Sequence, residues 1–254
     1  MIQRKKSGRP FVVAHRGSSG SAPENTLAAF SLAIDEGADV VELDVRMTRD
    51  FFLVVLHDGD IKRTTNGEGG VWDFTLQELR AFDAGMWYGP KFRGERVPTL
   101  RQVMELLLAH VNLNIEVKTD GEPRPRKHIA MEEACILAIM EKKFEDRTIV
   151  SSFDHDYLKR FHHLYPSIKT GALYLPSRDA AVKPSQMARG LGVSAFICSK
   201  NHLTAAMVKD AHDRNMAVAG YSINTEQELE QMLALGVDTV VTDHPKLIIK
   251  LLGK

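Results

Sequence analysis

The sequence predicts an α/β protein that folds as a (β/α)8 TIM barrel with an insertion after its second strand. Short apolar runs alternate with amphipathic helical segments along the chain, and eight of these runs have the length and composition of strands. Eight successive strand-then-helix units favour a closed parallel barrel over an open sheet. The length of 254 residues agrees with this fold, because such a barrel needs about 250 residues.

The individual elements can be placed from their apolar pattern and their boundary residues. Capping boxes predict helix starts at Thr75, Thr99 and Thr225, where a hydroxyl and a carboxylate or amide satisfy free backbone N–H groups. Gly37 and Gly236 stand where a helix must end before the next strand. The eight strand candidates are residues 11–14, 40–45, 113–118, 148–153, 170–175, 195–199, 217–222 and 239–243.

One connection is too long for an ordinary crossover, which needs little more than a helix and two short loops. Residues 46–112 contain a further apolar run, a glycine-rich turn and an aromatic stretch. We therefore expect residues 46–112 to be an insertion over the barrel mouth, within a single domain of residues 1–254. Four aromatic residues are expected to form a small core of the insertion rather than a rim for a bound alcohol. They are Trp72, Trp87, Tyr88 and Phe92.

Composition excludes several classes of function. Lys plus Arg equals Asp plus Glu, with 33 of each, so the chain has no basic field for nucleic acid or an anionic membrane. No apolar run follows the basic first residues or is long enough to cross a bilayer, so we expect no signal peptide and no membrane span. Cys135 and Cys198 lack a zinc-binding spacing and are expected to be reduced. These features predict a cytoplasmic protein and leave its oligomeric state open.

Three carboxylates are predicted to meet inside the barrel. Glu42 and Asp44 lie two residues apart on the second strand and share its inward face, with Cα atoms about 6.6 Å apart. Glu116 takes the inward face of the third barrel strand. Carboxylates this close raise one another's pKa unless a proton or a cation intervenes. Oxygen ligands without cysteine favour Mg²⁺ or Ca²⁺ over zinc, so the pattern predicts one divalent cation.

Two histidines and two cationic side chains are expected at the same mouth. His15 follows the first strand and His57 closes an apolar run, and an imidazole pair can supply a base and an acid at neutral pH. A divalent cation, Arg16 and Lys118 would bring the three carboxylates to a net charge of plus one. A phosphodiester monoanion would neutralise that charge. The alternative to a catalytic site is that the histidines are structural and that the acidic cluster is paired with Lys118. Such a cluster is costly to bury unless every charge is paired.

The motifs resemble those of the glycerophosphodiester phosphodiesterase family, in the family's order and over nearly the whole chain. They are AHRG with PENT, ELDV, LHD, GE followed by VPTL, IEVK, SSF and GVDTVVTDHP. The resemblance implies a (β/α)8 barrel that hydrolyses glycerophosphodiesters to sn-glycerol 3-phosphate and an alcohol. It implies His15 and His57 as the acid/base pair, the three carboxylates as ligands of the cation, and Arg16 and Lys118 as phosphate-binding residues.

The resemblance also implies the mechanism, in which the glycerol 2-hydroxyl of the substrate attacks phosphorus and water opens the resulting cyclic phosphate. No serine or cysteine stands beside a base as a nucleophile, which agrees. Ser152, Phe153 and Tyr221 are candidate substrate contacts, although similar sequences commonly carry Trp at the position of Tyr221. We expect Glu24 to be mainly structural, in the first turn of a helix that Pro23 opens.

Three alternative functions can be weighed on the same residues. A lysophospholipase D-type phosphodiesterase acting on lipid headgroups would keep the barrel and the ion, but the chain has no apolar anchor. Amidohydrolases on this barrel carry an H-x-H pair after the first strand, where this chain has His15, Arg16 and Gly17. A binding protein without activity would not need both histidines and all three acids. We therefore expect a metal-dependent enzyme with a small glycerophosphodiester as its substrate.

Overall fold

The computed structural model describes residues 8–107, 111–120 and 127–253. The first seven residues, which entered the expectation of no signal peptide, lie outside this part of the chain. Within it there are nine strands. They are β1 (Phe11–Ala14), β2 (Val40–Met47), β3 (Leu53–Val55), β4 (Asn112–Val117), β5 (Thr148–Ser152), β6 (Lys169–Leu173), β7 (Ala195–Ser199), β8 (Ala217–Tyr221) and β9 (Thr239–Thr242).

Eight of these strands run parallel and close into a barrel, which confirms the predicted α/β (β/α)8 fold. Their order is β1, β9, β8, β7, β6, β5, β4 and β2, and β2 pairs in turn with β1. β3 pairs antiparallel with β2 and extends it outside the barrel. Several strands end one or two residues earlier than the sequence pattern predicted, whereas β2 continues two residues beyond its predicted end.

The helices lie between the strands, as a barrel requires. The three predicted capping boxes, at Thr75, Thr99 and Thr225, are present, and Gly37 and Gly236 both have a φ of +81°. The described helices are α1 (Leu27–Asp35), α2 (Leu76–Leu79), α3 (Leu100–Leu106), α4 (Lys127–Glu141), α5 (His155–Leu164), α6 (Pro176–Asp179), α7 (Pro184–Leu191), α8 (Ala205–His212), α9 (Glu226–Leu235) and α10 (Pro245–Leu252). None of them is both long enough and apolar enough to cross a lipid bilayer.

The alternation of β2 separates an apolar face from a charged one. Val41, Leu43 and Val45 belong to the main apolar core, where burying each side chain contributes roughly 1.5–3 kcal/mol. Glu42 and Asp44 take the opposite face, because successive side chains of a strand point to opposite sides. The strong outward packing therefore fixes the register that turns the two carboxylates inward.

The segment between β2 and β4 has a small apolar core of its own, and its composition differs from the expectation. The buried residues of this core are Val54, Leu56, Ile61, Val71, Leu79, Ala84 and Val97. Tyr88 instead contacts both Trp87 and Phe92 edge to face, and Trp87 is 41% exposed. The expectation that these three aromatic residues form the core was wrong, because aliphatic side chains from β3, α2 and the segments around them fill that space.

The turn before α1 also differs from its prediction. Pro23 does not open the helix. Instead Thr26 is the N-cap and its Oγ1 accepts a hydrogen bond from the N–H of Ala29 at 3.3 Å. Asn25 has a φ of +59°, a left-handed conformation that prevents the helix from starting earlier. As a result Glu24 lies in a loop at the barrel mouth, where its carboxylate can reach other charged groups.

Candidate active site

A cavity of about 190 Å³ lies at the carboxyl-terminal ends of the barrel strands. Active sites of (β/α)8 enzymes are found at this end, because the loops that follow the strands converge there. The cavity contains most of the site residues predicted from the sequence. Its lining residues are His15, Arg16, Glu42, His57, Asn114, Glu116, Lys118, Phe153, Leu173, Ile197, Tyr221, Ser222 and Val241.

Three buried carboxylates are close enough to bind a common ion. One oxygen from each of Glu42, Asp44 and Glu116 lies within 4.8 Å of the other two. In the described part of the chain, Oε1 of Glu42 is buried and accepts no hydrogen bond. A buried carboxylate oxygen without a donor is costly, and a cation would satisfy it. The all-oxygen set suits a hard divalent cation.

The local electrostatics favour the same interpretation. Burial and the charge of Asp44 raise the pKa of Glu42 to about 8. Burial also raises the pKa of Glu116, although Lys118 opposes this. Burial would raise the pKa of Asp44 too, but Lys118 and Arg16 outweigh it and hold that pKa well below its usual range. Three ionised carboxylates therefore need more positive charge than Lys118 and Arg16 supply, which a divalent cation would provide.

Backbone and side-chain donors orient the carboxylates. The N–H of Arg16 donates to Oε2 of Glu42 at 2.8 Å, and the amide of Asn25 donates to Oδ2 of Asp44 at 2.9 Å. Lys118 donates to Oε1 of Glu116, and its Nζ lies 3.1 Å from Oδ1 of Asp44. The loop after β1 and the end of β4 therefore fix carboxylates that belong to different strands.

His15 is held by Asp243 at the end of β9. Nδ1 of His15 lies 2.7 Å from Oδ1 of Asp243, and this carboxylate also accepts from the hydroxyl of Ser19 at 3.1 Å and the amide of Asn224 at 2.7 Å. Burial alone would lower the pKa of His15, but the hydrogen bond to Asp243 and the charge of Glu42 outweigh it and raise the pKa. Because Nδ1 is engaged, Nε2 is the ring nitrogen available for proton transfer.

His57 has a similar carboxylate partner but a different electrostatic environment. Its Nδ1 lies 2.6 Å from Oδ1 of Asp58, and its carbonyl oxygen accepts from Nε of Arg46 at 2.8 Å. Burial and the positive charges of Lys118 and Arg16 lower the pKa of His57, against the opposing effects of Asp44 and Asp58. The two imidazoles of the cavity are therefore shifted in opposite directions.

Arg16 adopts a backbone conformation that aims both its N–H and its side chain at the acids. Its φ is +56°, and its Nη1 donates to Oε1 of Glu24 at 2.8 Å while its Nε lies 3.2 Å from Oδ2 of Asp44. Gly17 follows with a φ of +82°, and a Cβ there would lie 2.6 Å from the carbonyl carbon of Ala29. The sequence HRG therefore needs its glycine to seat the β1 loop against α1.

The remaining predicted contacts divide into two groups. Phe153 and Tyr221 line the cavity. Ser152 is buried and is not among the lining residues, and its hydroxyl donates to the carbonyl of Val117 at 2.7 Å. Sequence reasoning missed Asp243, although it lies in the quoted motif TDHP. It also missed Arg46, whose position on β2 has the same parity as the two carboxylates.

Comparison with known proteins gives the same assignment as the motifs. The sequence profile of the Glycerophosphoryl diester phosphodiesterase family matches residues 15–247. The chain belongs to this family. A glycerophosphodiester phosphodiesterase of Caldanaerobacter subterraneus subsp. tengcongensis is 40% identical over 247 residues, which cover 97% of this chain and 99% of that protein. The predicted resemblance is thereby confirmed.

Solved structures of the family share the architecture of this chain. An Oleispira antarctica phosphodiesterase in complex with the product sn-glycerol-3-phosphate superposes with a TM-score of 0.87 at 30% identity, covering 98% of both chains. A glycerophosphodiester phosphodiesterase from Thermotoga maritima superposes with a TM-score of 0.75 at 26% identity, covering 96% of this chain and 98% of that one. Family membership makes this chain a phosphoric diester hydrolase.

Proposed function

We propose that the protein hydrolyses glycerophosphodiesters to sn-glycerol 3-phosphate and an alcohol, with one divalent cation, Mg²⁺ or Ca²⁺, as its cofactor. One observation carries this proposal: two histidines, two cationic side chains, Glu42 and Glu116 line a single cavity, and one oxygen of Asp44 lies within 4.8 Å of oxygens of these two carboxylates. The product bound to the Oleispira antarctica phosphodiesterase supports the choice of substrate class. The proposed partner is a small molecule, in a cytoplasmic protein that binds no nucleic acid.

The phosphate of the substrate would bind between the cationic groups of the cavity. Arg16 and Lys118 are the cationic side chains that line it, so both can contact non-bridging phosphate oxygens. The ion would be held by Glu42, Asp44 and Glu116, and when bound it would offset the charge that develops on the phosphoryl oxygens. Phe153 and Tyr221 are proposed to contact the carbon atoms of the substrate.

The two histidines would perform the proton transfers. The lowered pKa of His57 keeps this imidazole neutral at neutral pH, so we assign it as the base that takes the proton of the glycerol 2-hydroxyl. The raised pKa of His15 favours its protonated form, so we assign it as the acid that protonates the leaving alkoxide. The attack of the 2-hydroxyl gives a cyclic phosphate, and water opens this ring with the two roles reversed.

The domain organisation completes the proposal. We propose one catalytic domain over residues 1–254, in which residues 46–112 form an insertion over the barrel mouth. The insertion provides His57 just after β3. Oδ1 of Asp58 contacts the imidazole of His57, and Nε of Arg46 donates to the backbone carbonyl of His57. In this proposal the insertion therefore contributes a catalytic residue in addition to lying over the barrel mouth.

The experiment that tests this function measures product formation from sn-glycero-3-phosphocholine, with chelator and with Mg²⁺ or Ca²⁺ added back. We expect sn-glycerol 3-phosphate to be released only with an ion present. His15→Ala and His57→Ala should each lower kcat by about 10²–10⁴-fold while the protein stays folded. Full turnover in chelator would contradict the metal-dependent mechanism.

Two further substrates sharpen this test. An analogue that lacks the glycerol 2-hydroxyl should not react, because its nucleophile is absent, and its normal hydrolysis would contradict internal attack. Lysophosphatidylcholine should be a poor substrate. If it turns over faster than sn-glycero-3-phosphocholine, the lysophospholipase D-type alternative is correct instead.

A further inference from the structure

A continuous chain of hydrogen bonds joins His57 to Arg16, and the proposed mechanism uses only its two ends. Nδ1 of His57 contacts Oδ1 of Asp58 at 2.6 Å, and Oδ2 of Asp58 accepts from Nε of Arg63 at 2.5 Å. The two terminal nitrogens of Arg63 donate to the two oxygens of Glu24, each at 2.8 Å. Oε1 of Glu24 also accepts from Nη1 of Arg16 at 2.8 Å.

We propose that Arg63 is a positioning residue of the active site. It orients His57 through Asp58 and orients Arg16 through Glu24, so that one guanidinium holds the proton-transferring imidazole and the phosphate-binding side chain in a fixed relation. This inference rests on the proposed function, because it takes the roles of His57 and Arg16 from there.

The geometry of a guanidinium suits this task. Arg63 presents Nε to one carboxylate and its pair of terminal nitrogens to the other, so its planar group fixes both the spacing and the plane of Asp58 and Glu24. A lysine ammonium is a single point charge without this fork. The four charged groups of this hydrogen-bonded series, Arg16, Glu24, Arg63 and Asp58, alternate in sign and sum to zero. The series therefore places no net charge beside the imidazole of His57.

The backbone around Arg63 is itself firmly placed. Ile61 is fully buried in the core of the insertion, and its N–H donates to the carbonyl of Gly69 at 3.0 Å. The hydroxyl of Thr65 donates back to the carbonyl of Ile61 at 2.7 Å, and Thr64 is buried as well. The position of the Arg63 Cα is thus determined by the apolar core of the insertion.

A purely structural tie between insertion and barrel is the competing explanation. The side chain of Arg63 is 45% exposed, and ion pairs with this exposure add little to stability. A structural tie predicts an unchanged kcat in a variant that lacks the guanidinium. Positioning predicts a large loss of kcat with little loss of stability.

Arg49 offers a matched control in the same segment. Its side chain is 54% exposed, its Nη2 contacts Oε2 of Glu78 at 2.9 Å, and its Nη1 donates to the carbonyl of Asp73 at 2.7 Å. Arg49 thus bridges two groups at an exposure similar to that of Arg63, but none of its described contacts is with a residue of the cavity. Replacing Arg49 removes a similar set of contacts from the insertion and leaves the hydrogen bonds between His57 and Arg16 in place.

The test compares Arg63→Gln, Arg63→Lys and Arg49→Gln, each with saturating divalent cation and sn-glycero-3-phosphocholine. We expect Arg63→Gln to lower kcat by about 10- to 100-fold, Arg63→Lys to restore little of it, and Arg49→Gln to behave as wild type. The thermal midpoints of the glutamine variants should be similar. Equal kcat values for Arg63→Gln and Arg49→Gln would overturn the proposal.

One single-arm variant and a binding assay complete the test. Asp58→Asn cuts only the arm to His57, so kcat should fall while calorimetric affinity for sn-glycerol 3-phosphate is kept. Arg63→Gln should weaken that affinity as well, because Arg16 loses its fixed orientation. An unchanged affinity of Arg63→Gln for sn-glycerol 3-phosphate would contradict the role of Arg63 in orienting Arg16.

Failure of the proposed function would give a different result. If the wild-type protein releases no sn-glycerol 3-phosphate, the function is wrong, while the imidazole NMR signals of His57, assigned with His57→Ala, still report on Arg63. Signals of His57 that are identical in wild type and Arg63→Gln would then overturn the positioning role.

Discussion

At the scale of single residues, the two histidines of the cavity differ in what surrounds them. Each has its Nδ1 engaged by a carboxylate, Asp243 for His15 and Asp58 for His57. The pKa of His15 is nevertheless raised and that of His57 lowered. Burial lowers the pKa of both imidazoles. At His57 the charges of Lys118 and Arg16 add to burial and outweigh Asp44 and Asp58, whereas at His15 Asp243 and Glu42 outweigh burial and Arg16.

These opposite shifts predict a bell-shaped dependence of kcat/KM on pH. Activity falls as the pH drops through the lowered pKa of His57, because the base becomes protonated. It also falls as the pH rises through the raised pKa of His15, because the acid loses its proton. Asp243→Asn removes a group that raises the pKa of His15, so the alkaline limb should move to lower pH in a pH–rate profile.

A third aspartate–histidine pair, outside the cavity, supplies the control for this experiment. Nε2 of His212 lies 2.8 Å from Oδ2 of Asp238, and neither residue lines the cavity. Asp238→Asn should leave both limbs of the profile in place. If Asp243→Asn shifts the acidic limb and not the alkaline one, the assignment of acid and base is reversed.

At the scale of elements, one buried arginine joins three segments of the mouth. Arg46 lies on β2 and is 2% exposed. It donates to the carbonyl of His57 at 2.8 Å, and to the carbonyl of Asp120 at 2.9 Å and both its carboxylate oxygens at 3.1 Å. Asp120 lies two residues beyond Lys118, so this guanidinium fixes the loops that follow β3 and β4.

We predict that Arg46→Met lowers kcat by about 10- to 100-fold, because it displaces His57 and the segment of Lys118 together. Arg147→Met is the control, since Arg147, just before β5, donates to the carbonyls of Leu107 and Val111 before β4 and lines no part of the cavity. Both variants lose partly buried hydrogen bonds and should lower the free energy of unfolding. A denaturation curve and steady-state kinetics on both proteins separate the two effects, and a similar kcat in both would contradict the role of Arg46.

The sequence predicts elements better than it predicts the loops between them. The faces of β2 and β4 follow from strict alternation, so Glu42, Asp44 and Glu116 could be placed together from their positions alone. The partners of Glu24 could not, because they depend on the left-handed turn at Asn25 and on an arginine 39 residues away. The same holds for the aromatic residues of the insertion, where aliphatic side chains compete for one small core.

At the scale of the whole molecule, the cavity depends on segments that are far apart in the chain. Carboxylates of β2 and β4, the loop after β1 and the residue after β9 meet only when the barrel is closed. An ion that binds this arrangement and not the unfolded chain stabilises the fold, by about 2.7 kcal/mol at a concentration of 100 times Kd.

Ion-dependent stability is therefore a testable consequence. Mg²⁺ or Ca²⁺ should raise the thermal midpoint of the chelator-treated protein. Glu42→Gln should show a smaller rise, because it removes one charged ligand while keeping an oxygen that can accept from the N–H of Arg16. Scanning calorimetry over a range of ion concentrations measures both, and an equal rise in both proteins would exclude Glu42 as a ligand.

The central claim is that Glu42, Asp44 and Glu116 together hold one divalent cation beside the two histidines. Isothermal titration calorimetry of the metal-free protein with Mg²⁺ and with Ca²⁺ tests it most directly, with Asp44→Asn measured alongside. The account predicts a single ion for each chain and an affinity at least about tenfold lower in the variant. Absence of binding, or equal affinity in Asp44→Asn and wild type, would contradict it.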